Sequence, residues 1–321
     1  MDGAKIIESP GNLRYFASNT KRLLHELALG RADVIHVFSG ATTIFSVWAL
    51  TLAKLTGRKG VCSFFGREGI VFASIKEAGM FDVAASLASA VATNTEAMRS
   101  LVPPRFQPKT HLLFGGADAV PAPLPENRDK GSQTILFVGR LIASKGVDDL
   151  IDAFHFVRQS LPDVKLRIVG GGPQQQNFRK RAEDLGVADE VCFAGPKYGT
   201  DLQVEYRNCD VFVLPSKFIK SDPATEALGL VLIEASMHGK PLIGTKIGGI
   251  PEIVRDGVNG ILVTPANPNA LASAIIRLLS DKELRTSMSR NSLRIANTEY
   301  TWDAATTRLI NCYENRGARE R

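Results

Sequence analysis

The sequence predicts an α/β protein with two domains, each built around a parallel sheet. Short runs of apolar and β-branched residues alternate along the chain with longer stretches of helical periodicity, an order typical of repeated βα units. A length of 321 residues also exceeds what one ordinary core needs and suits two domains of roughly 100–200 residues each. The two halves are therefore expected to fold as separate units.

Strand-like runs are clearest in the second half. There they are predicted at Thr134–Val138, Lys165–Val169, Val191–Ala194, Val211–Leu214, Pro241–Gly244 and Ile261–Val263. In the first half they are predicted at Asp33–Phe38, Val61–Phe65, Ala90–Thr93 and Thr110–Phe114. The best helical pattern is Gly146–Leu161, whose apolar residues recur at three- and four-residue steps and give one face to bury. Further helices are predicted at Ala41–Thr56, Leu271–Leu279 and Trp302–Tyr313.

The segment Pro121–Gly131 combines prolines with charged residues, which is a linker composition. It sets the predicted domain limits, with residues 1–127 in the first domain and residues 128–300 in the second. The remaining residues, 301–321, are expected to form a helix and tail that pack back on the first domain.

The composition, with 44% hydrophobic and 22% charged residues, is ordinary for a soluble globular protein. A cytoplasmic location is expected from the N-terminus, the apolar runs and the cysteines. No signal-peptide pattern opens the chain, and the most apolar run, Ile44–Leu55, is well short of the ~20 residues that span a bilayer. A net charge of +6 favours anionic partners, but without a Lys/Arg block nucleic-acid binding is not expected. The four cysteines have no CxxC spacing and are expected to be free thiols.

Two cations stand in the segment Gly139–Gly146, which follows a predicted strand and opens a helix. Ligands of open α/β sheets bind at that carboxyl edge, so Arg140 and Lys145 could clamp a diphosphate from two sides. A solvated turn with two surface cations is the alternative. Gly170, Gly171 and Gly172 follow the next strand and either admit a ligand close to the backbone or form a tight turn.

The segment Glu226–Glu234 places two carboxylates around a predicted helix start. If the helix begins near Gly229, its unpaired N–H groups and positive dipole end form an anion site, with Glu226 at its mouth. Since one carboxylate can accept two hydroxyl groups, the two glutamates could hold two polyol rings. The alternative is a capping glutamate followed by an unrelated surface glutamate.

Together these segments resemble the group 1 (family 4) glycosyltransferases. The resemblance runs from about Ile135 to Tyr313 and is carried by GRLIASKG, IVGGGP, VFVLPS, the pair Glu226 and Glu234, GKPLIGTKIGGIPEIV and DGVNGILVTP. Each motif is weak alone, but the set is specific. The fold that it implies is GT-B, in which two Rossmann-like domains face a cleft that holds the sugar donor.

The resemblance also implies an activity: transfer of a sugar from a nucleotide-diphosphate donor to an acceptor hydroxyl, with retention of configuration and with no metal or other cofactor. By the same resemblance, Arg140 and Lys145 stabilise the leaving diphosphate and Glu226 holds the transferred sugar. Glu234 holds the ribose. The other donor-binding positions act through their backbone: Gly139, Gly171, Gly172, Leu228, Gly229 and Leu230.

The N-terminal half departs from the family pattern. Family members open with a strand and a glycine-rich loop, and Met1–Arg31 contains no such loop, so the first domain is expected to be shortened. Where the family tends to carry a histidine before a glycine, this chain has Phe65. The nearest acceptor-side candidates are Arg67 and Glu68, which could instead form a loop ion pair.

These departures leave a catalytically inactive nucleotide-sugar-binding protein as the main alternative. An NAD(P)-dependent oxidoreductase is disfavoured because the GxGxxG pattern fails at Gln175, and a nucleotide-sugar epimerase is a further alternative. The acceptor is left open as a glycan, a lipid or a small molecule. The basic segment Leu13–Arg31 could lie on an acidic membrane at its inner face, or it could be a solvated helix.

Overall fold

The computed structural model describes residue 21 and residues 23–30, 32–38, 44–65, 75–118, 120, 132–219 and 226–314. The chain divides into two compact units, one of Met1–Leu113 with Thr306–Arg321, and the other of Phe114–Ala305. The predicted linker and the candidates Arg67 and Glu68 lie outside the described residues. So does most of the basic N-terminal segment, of which residues 23–28 are helical.

The first unit contains a parallel sheet that is four-stranded over the described part of the chain. Its strands lie side by side in chain order: β1 (Val34–Phe38), β2 (Lys59–Phe64), β3 (Ala90–Thr93) and β4 (Thr110–Leu112). Between them run α1 (Ile44–Leu55), α2 (Ile75–Leu87), α3 (Glu96–Arg99) and a 3₁₀ helix at Pro104–Lys109. Successive side chains of a strand point to opposite faces, so both faces of this sheet carry apolar residues to bury.

The second unit is a doubly wound parallel sheet, six-stranded over the residues that the structure describes. Its strands are β5 (Thr134–Val138), β6 (Lys165–Val169), β7 (Val191–Gly195), β8 (Val211–Leu214), β9 (Leu242–Thr245) and β10 (Gly260–Val263). The order across the sheet is β10-β9-β8-β5-β6-β7. Strand order therefore reverses between β5 and β8, and that reversal is the topological switch point of the sheet.

Helices connect and cover these strands. They are α4 (Val147–Ser160), α5 (Gln175–Asp184), α6 (Gly199–Asn208), α7 (Leu230–Met237), α8 (Ile250–Ile253), α9 (Pro268–Ser280) and α10 (Lys282–Glu299), with 3₁₀ turns at Ala143–Lys145 and Ala188–Glu190. The predicted apolar face of α4 is buried through Val147, Leu150, Ile151, Phe154 and Val157. Burying a large aliphatic or aromatic side chain contributes about 1.5–3 kcal/mol, so this face fixes α4 firmly on the sheet.

The last helix, α11 (Trp302–Glu314), begins in the second unit and ends in the first. Within the first unit, Cys312 is buried in a cluster with Val61 and Ala90 of the sheet. The Tyr313 hydroxyl lies 2.9 Å from Nδ1 of His36, whose Nε2 lies 2.5 Å from the Ser63 hydroxyl. These contacts fix the last turns of α11 on one face of the sheet.

Every strand predicted from the sequence is present, with small shifts at the ends. β9 begins at Leu242 and not at Pro241, because proline has no N–H to donate to a ladder. The 18-residue helix α10 was not singled out, because its buried face is narrow and partly polar, consisting of Met288, Ser292, Ile295 and Ala296.

Candidate functional site

The two loops that leave the switch point carry the charged residues singled out from the sequence. The loop after β5 contains Arg140 and Lys145, and the chain after β8 leads through Ser216 to Glu226. Because the strands on the two sides of a switch point send their connections to opposite faces, a crevice opens between these loops, and ligands of such sheets bind there.

Lys145 and Glu226 form an ion pair, in which the lysine Nζ contacts Oε2 of the glutamate. The Ser216 hydroxyl donates a hydrogen bond of 3.0 Å to the same oxygen. The side chains of Lys145 and Glu226 are only 17% and 11% exposed. The structure thus brings together two predicted site residues that are far apart in sequence, and adds Ser216 between them.

Two glycines allow the loops around the Lys145–Glu226 pair to approach each other closely. Gly146 has a φ of 68°, and a Cβ there would lie 2.0 Å from the carbonyl oxygen of Pro215. Gly248 has a φ of 55°, and a Cβ there would lie 1.9 Å from the carbonyl oxygen of Glu226. Since the N–H of Gly249 also donates to that carbonyl oxygen over 3.1 Å, the turn after β9 holds the Glu226 backbone in place.

The loop after β6 lies against the loop after β5. The N–H of Leu141 donates to the carbonyl oxygen of Gly171 over 2.9 Å, and a Cβ on Gly172 would lie 2.5 Å from the carbonyl oxygen of Leu141. Gly139 and Arg140 precede this contact, and Arg140 is exposed. The loops after β5, β6 and β8 are therefore adjacent at the carboxyl edge of the sheet.

Helix α7 begins at Leu230 with Gly229 as its N-cap, in the left-handed conformation at φ 81°. This agrees with the helix start predicted near Gly229. The first N–H groups of an α-helix have no partner within the helix, so the Leu228–Leu230 backbone presents a partial positive charge. Glu226 precedes this helix end, while Glu234 lies one turn inside α7.

Glu234 has a different partner from Glu226. Its Oε2 accepts a hydrogen bond of 2.5 Å from the hydroxyl of Tyr206 on α6. The Tyr206 ring is 1% exposed and stacks on His238, with ring centroids 5.2 Å apart. Burial raises the pKa of the Glu234 carboxyl above its usual range, and the Tyr206 hydrogen bond opposes that shift. Sequence reasoning missed Tyr206, because no motif joins it to Glu234.

A cavity of about 270 Å³ opens beside Glu234 in the second unit. Residues of α6 and α7 line it, together with the chain near Asp118 and with Trp302. Its polar and aromatic lining includes Gln203, Tyr206, Glu234, His238 and Trp302. Its size and the carboxylate on its wall suit one hydroxylated ring compound.

Phe65, which stands where a histidine is expected, packs its ring beside Phe38, with centroids 5.9 Å apart. Its carbonyl oxygen accepts a hydrogen bond of 3.1 Å from the Asn94 amide. This residue is therefore part of the apolar packing of the first unit. An aromatic hydrocarbon ring has no group that can donate or accept a proton, so Phe65 cannot perform the chemistry of a histidine.

Comparison with known proteins gives the family. A sequence profile of the group 1 glycosyl transferases matches residues 124–294, which is more than half of the chain. The protein belongs to the group 1 glycosyltransferase family. The matched segment contains the loops after β5, β6 and β8, together with Lys145, Glu226 and Glu234.

Named relatives extend this result. The chain is 33% identical over 176 residues to a GDP-mannose-dependent α-(1-6)-phosphatidylinositol monomannoside mannosyltransferase of Mycobacterium tuberculosis, covering 55% of this chain and 46% of that protein. It is 35% identical to a D-inositol 3-phosphate glycosyltransferase of Corynebacterium glutamicum, over 59% of this chain and 45% of that protein. The chain thus spans about half the length of these curated relatives.

Solved structures share the fold. Anabaena HepE in complex with UDP has a TM-score of 0.76 at 21% identity, over 94% of this chain and 82% of HepE. Sucrose-phosphate synthase of Thermosynechococcus elongatus has a TM-score of 0.70 at 23% identity, over 94% of this chain and 77% of that chain. The GT-B fold expected from the sequence is confirmed. In the part of the chain that the structure describes, every helix is too short or too polar to cross a membrane.

Proposed function

We propose that this glycosyltransferase transfers a sugar from a nucleotide-diphosphate donor to an acceptor hydroxyl, with retention of configuration and without a metal ion. One observation carries the proposal: Lys145 and Ser216 both contact the partly buried carboxylate of Glu226 at the switch point, in front of the α7 N-terminus. A cation and a helix end suit a diphosphate, and a carboxylate beside them suits the hydroxyls of the attached sugar.

The diphosphate is proposed to lie between the loop after β5 and the start of α7. Arg140 offers a planar fork and Lys145 a point charge, while the N–H groups of Leu228–Leu230 add oriented dipoles. The backbone at Gly139, Gly171 and Gly172 lies at the same edge. As the bond from the anomeric carbon to the diphosphate oxygen breaks, these groups stabilise the negative charge that develops on the departing diphosphate.

Binding of the sugar donor would change the partner of Lys145. Lys145 forms an ion pair with Glu226. A diphosphate would compete for the ammonium group, and the released Glu226 would accept the hydroxyls of the transferred sugar. Lys145 would thus exchange one anion, the carboxylate, for another, the diphosphate.

The nucleoside is proposed to bind at Glu234. The hydrogen bond from Tyr206 engages Oε2 of the carboxylate, which leaves the other oxygen to accept a ribose hydroxyl. The adjoining cavity of about 270 Å³, with Gln203 and Trp302 on its wall, offers room for a ring and polar groups that could contact it.

The acceptor is proposed to be a glycan, a lipid or a small molecule that presents a hydroxyl to the anomeric carbon. A lipid is supported by the name of the Mycobacterium tuberculosis relative and by the exposed basic position Lys21 in the N-terminal helix. Arg67 and Glu68 remain the acceptor-side candidates. A cytoplasmic location, with contact to the inner face of an acidic membrane, belongs to the same proposal.

The test is a panel of UDP-, GDP- and ADP-sugars, with transfer and slow donor hydrolysis both measured. We expect turnover with one donor class, a product of the same anomeric configuration, and unchanged turnover after EDTA treatment. Loss of turnover on chelation, restored by Mg²⁺ or Mn²⁺, would contradict the metal-free arrangement. An inverted product would contradict retention.

The rival function is a protein that binds nucleotide sugars without transferring them, and Phe65 favours it, because the ring packs against Phe38 and has no proton to exchange. Binding of a sugar donor with neither transfer nor hydrolysis across the panel would establish this rival. Failure to bind any nucleotide sugar would exclude both functions.

A further inference from the structure

Lys217 directly follows Ser216 in the loop after β8. No sequence motif explains its side chain, which is only 11% exposed. Its Nζ lies 2.7 Å from Oδ2 of Asp148 and 3.0 Å from Oδ2 of Asp149. Both aspartates lie in the first turn of α4, where the helix dipole favours negative charge. The lysine therefore joins the loop after β8 to the start of α4.

The backbone makes a second connection at the same place. The N–H of Lys217 donates to the carbonyl oxygen of Ser144 over 2.8 Å, and Ser144 directly precedes Lys145. On the other side of this segment, the Thr245 hydroxyl donates to the carbonyl oxygen of Ser216 over 2.5 Å. The segment that carries Ser216 is thus held from β9 on one side and from the Lys145 loop on the other.

The positive charge of Lys217 is compensated by Asp148 and Asp149. Burial by itself would lower the pKa of the ammonium group, but the bonds to Asp148 and Asp149 outweigh burial and raise it overall, so the group stays protonated. Burial also raises the pKa of Asp149, which the contact with Lys217 opposes. A cation shared by two partly buried carboxylates cannot also bind a diphosphate without leaving those carboxylates uncompensated.

We propose that Lys217 is a positioning residue: by joining the loop after β8 to Asp148 and Asp149, it sets the position of Lys145 and Glu226 relative to each other. The proposal rests on the proposed function, since the bound diphosphate is what Lys145 would hold. Lys217 acts here through Lys145 and makes no contact of its own with the sugar donor. A displaced cation binds diphosphate less well because the strength of a charged hydrogen bond depends on its geometry.

The test measures the affinity of UDP, of GDP and of ADP by titration calorimetry, well below the unfolding temperature. In Lys217→Met the charge is lost and the aliphatic stem stays. We expect the nucleoside diphosphate to bind about tenfold more weakly, an effect of the size found for residues that act on a binding site without touching the ligand. Lys217→Arg keeps a cation between the aspartates and should recover most of the affinity. Arg181→Met is the matched control, because Arg181 pairs with Asp152 of the same helix α4 on its exposed side.

A double substitution separates positioning from direct contact. In a Lys145→Met background, adding Lys217→Met should weaken binding by about twofold or less, because the group that it positions is already absent. A full tenfold additional loss would show that Lys217 contacts the ligand itself. Unchanged affinity in Lys217→Met, with only a lower unfolding temperature, would show a purely structural role. Either result overturns the proposal.

Should Lys217→Met fail to fold, Asp148→Asn carries the same test, because it weakens the contact from the other side and preserves shape. It should lower affinity less than Lys217→Met, and the loss should again disappear in the Lys145→Met background. Failure of the proposed function is distinguishable: the unsubstituted protein would then bind none of UDP, GDP and ADP, whereas failure of this inference leaves the binding of the unsubstituted protein intact.

Discussion

The two glutamates near the start of α7 occupy different surroundings, although eight positions separate them in sequence. Glu226 lies before the helix and meets the cation of Lys145 and the hydroxyl of Ser216. Glu234 lies inside the helix and meets the neutral hydroxyl of Tyr206. The same residue type therefore has two different environments: a positive charge lies beside the Glu226 carboxylate, and a neutral hydroxyl dipole lies beside that of Glu234.

That difference has chemical consequences. Glu226 belongs to a charged cluster with Lys145. Burial beside a neutral partner disfavours the ionised form of a carboxyl. At Glu234, burial raises the pKa of the carboxyl, and the hydroxyl of Tyr206, whose own pKa is raised by burial and by Glu234, stays protonated as a donor.

The largest expected effect is on turnover, through Glu226. Glu226→Gln should lower kcat by about a hundredfold, because the transferred sugar loses the charged group that orients its anomeric carbon. The same change should leave UDP or GDP binding as strong or make it stronger, because Lys145 loses its internal partner. Steady-state kinetics and calorimetry check the two parts. A normal kcat in this variant would remove Glu226 from the reaction.

The next effect is on diphosphate binding, through the cations. Lys145→Met or Arg140→Ala should weaken nucleoside-diphosphate binding by about 1–3 kcal/mol, the scale for losing one charge-assisted hydrogen bond. Lys180→Met, which breaks an exposed ion pair with Asp184 on α5, is the control and should change nothing. Affinity that is unchanged from the unsubstituted protein in all three variants would exclude Arg140 and Lys145 from the diphosphate site.

A smaller effect is expected at the second glutamate. Glu234→Gln should raise the KM for the sugar donor by about tenfold with little change in kcat, because the ribose does not change during the reaction. Tyr206→Phe removes one neutral hydrogen bond to the same carboxylate and should raise KM by about threefold. If either substitution lowered kcat as strongly as Glu226→Gln, the contrast between the two glutamates would be wrong.

The smallest effect concerns stability and pH. Since burial raises the folded-state pKa of Glu234, the folded protein holds this proton more tightly than the unfolded chain does, and stability falls as pH rises through the folded pKa. Glu234→Gln cannot ionise. The unfolding temperature of the variant minus that of the unsubstituted protein should therefore increase between about pH 5 and pH 8. A difference that is flat over this range would contradict the raised pKa.

Prediction from sequence worked best where the signal is local. The strands of the second unit follow from short apolar runs, and the start of α7 at Leu230 follows from Gly229, whose φ of 81° suits glycine. The helix α10 was missed because little of its surface is apolar. Tyr206 was missed because its hydroxyl meets Glu234 only when α6 packs beside α7.

The alternation of strands and helices, the family, and the charged residues at the ends of strands can be predicted from the amino-acid sequence, because each depends on residue type and on spacing along the chain. Which charges meet depends on the tertiary structure. Lys145 pairs with Glu226, and Lys217 with Asp148 and Asp149, because the sheet order β8-β5 places two loops side by side that are far apart in sequence. The spacing of residues along the sequence does not show that these two loops lie close together in space.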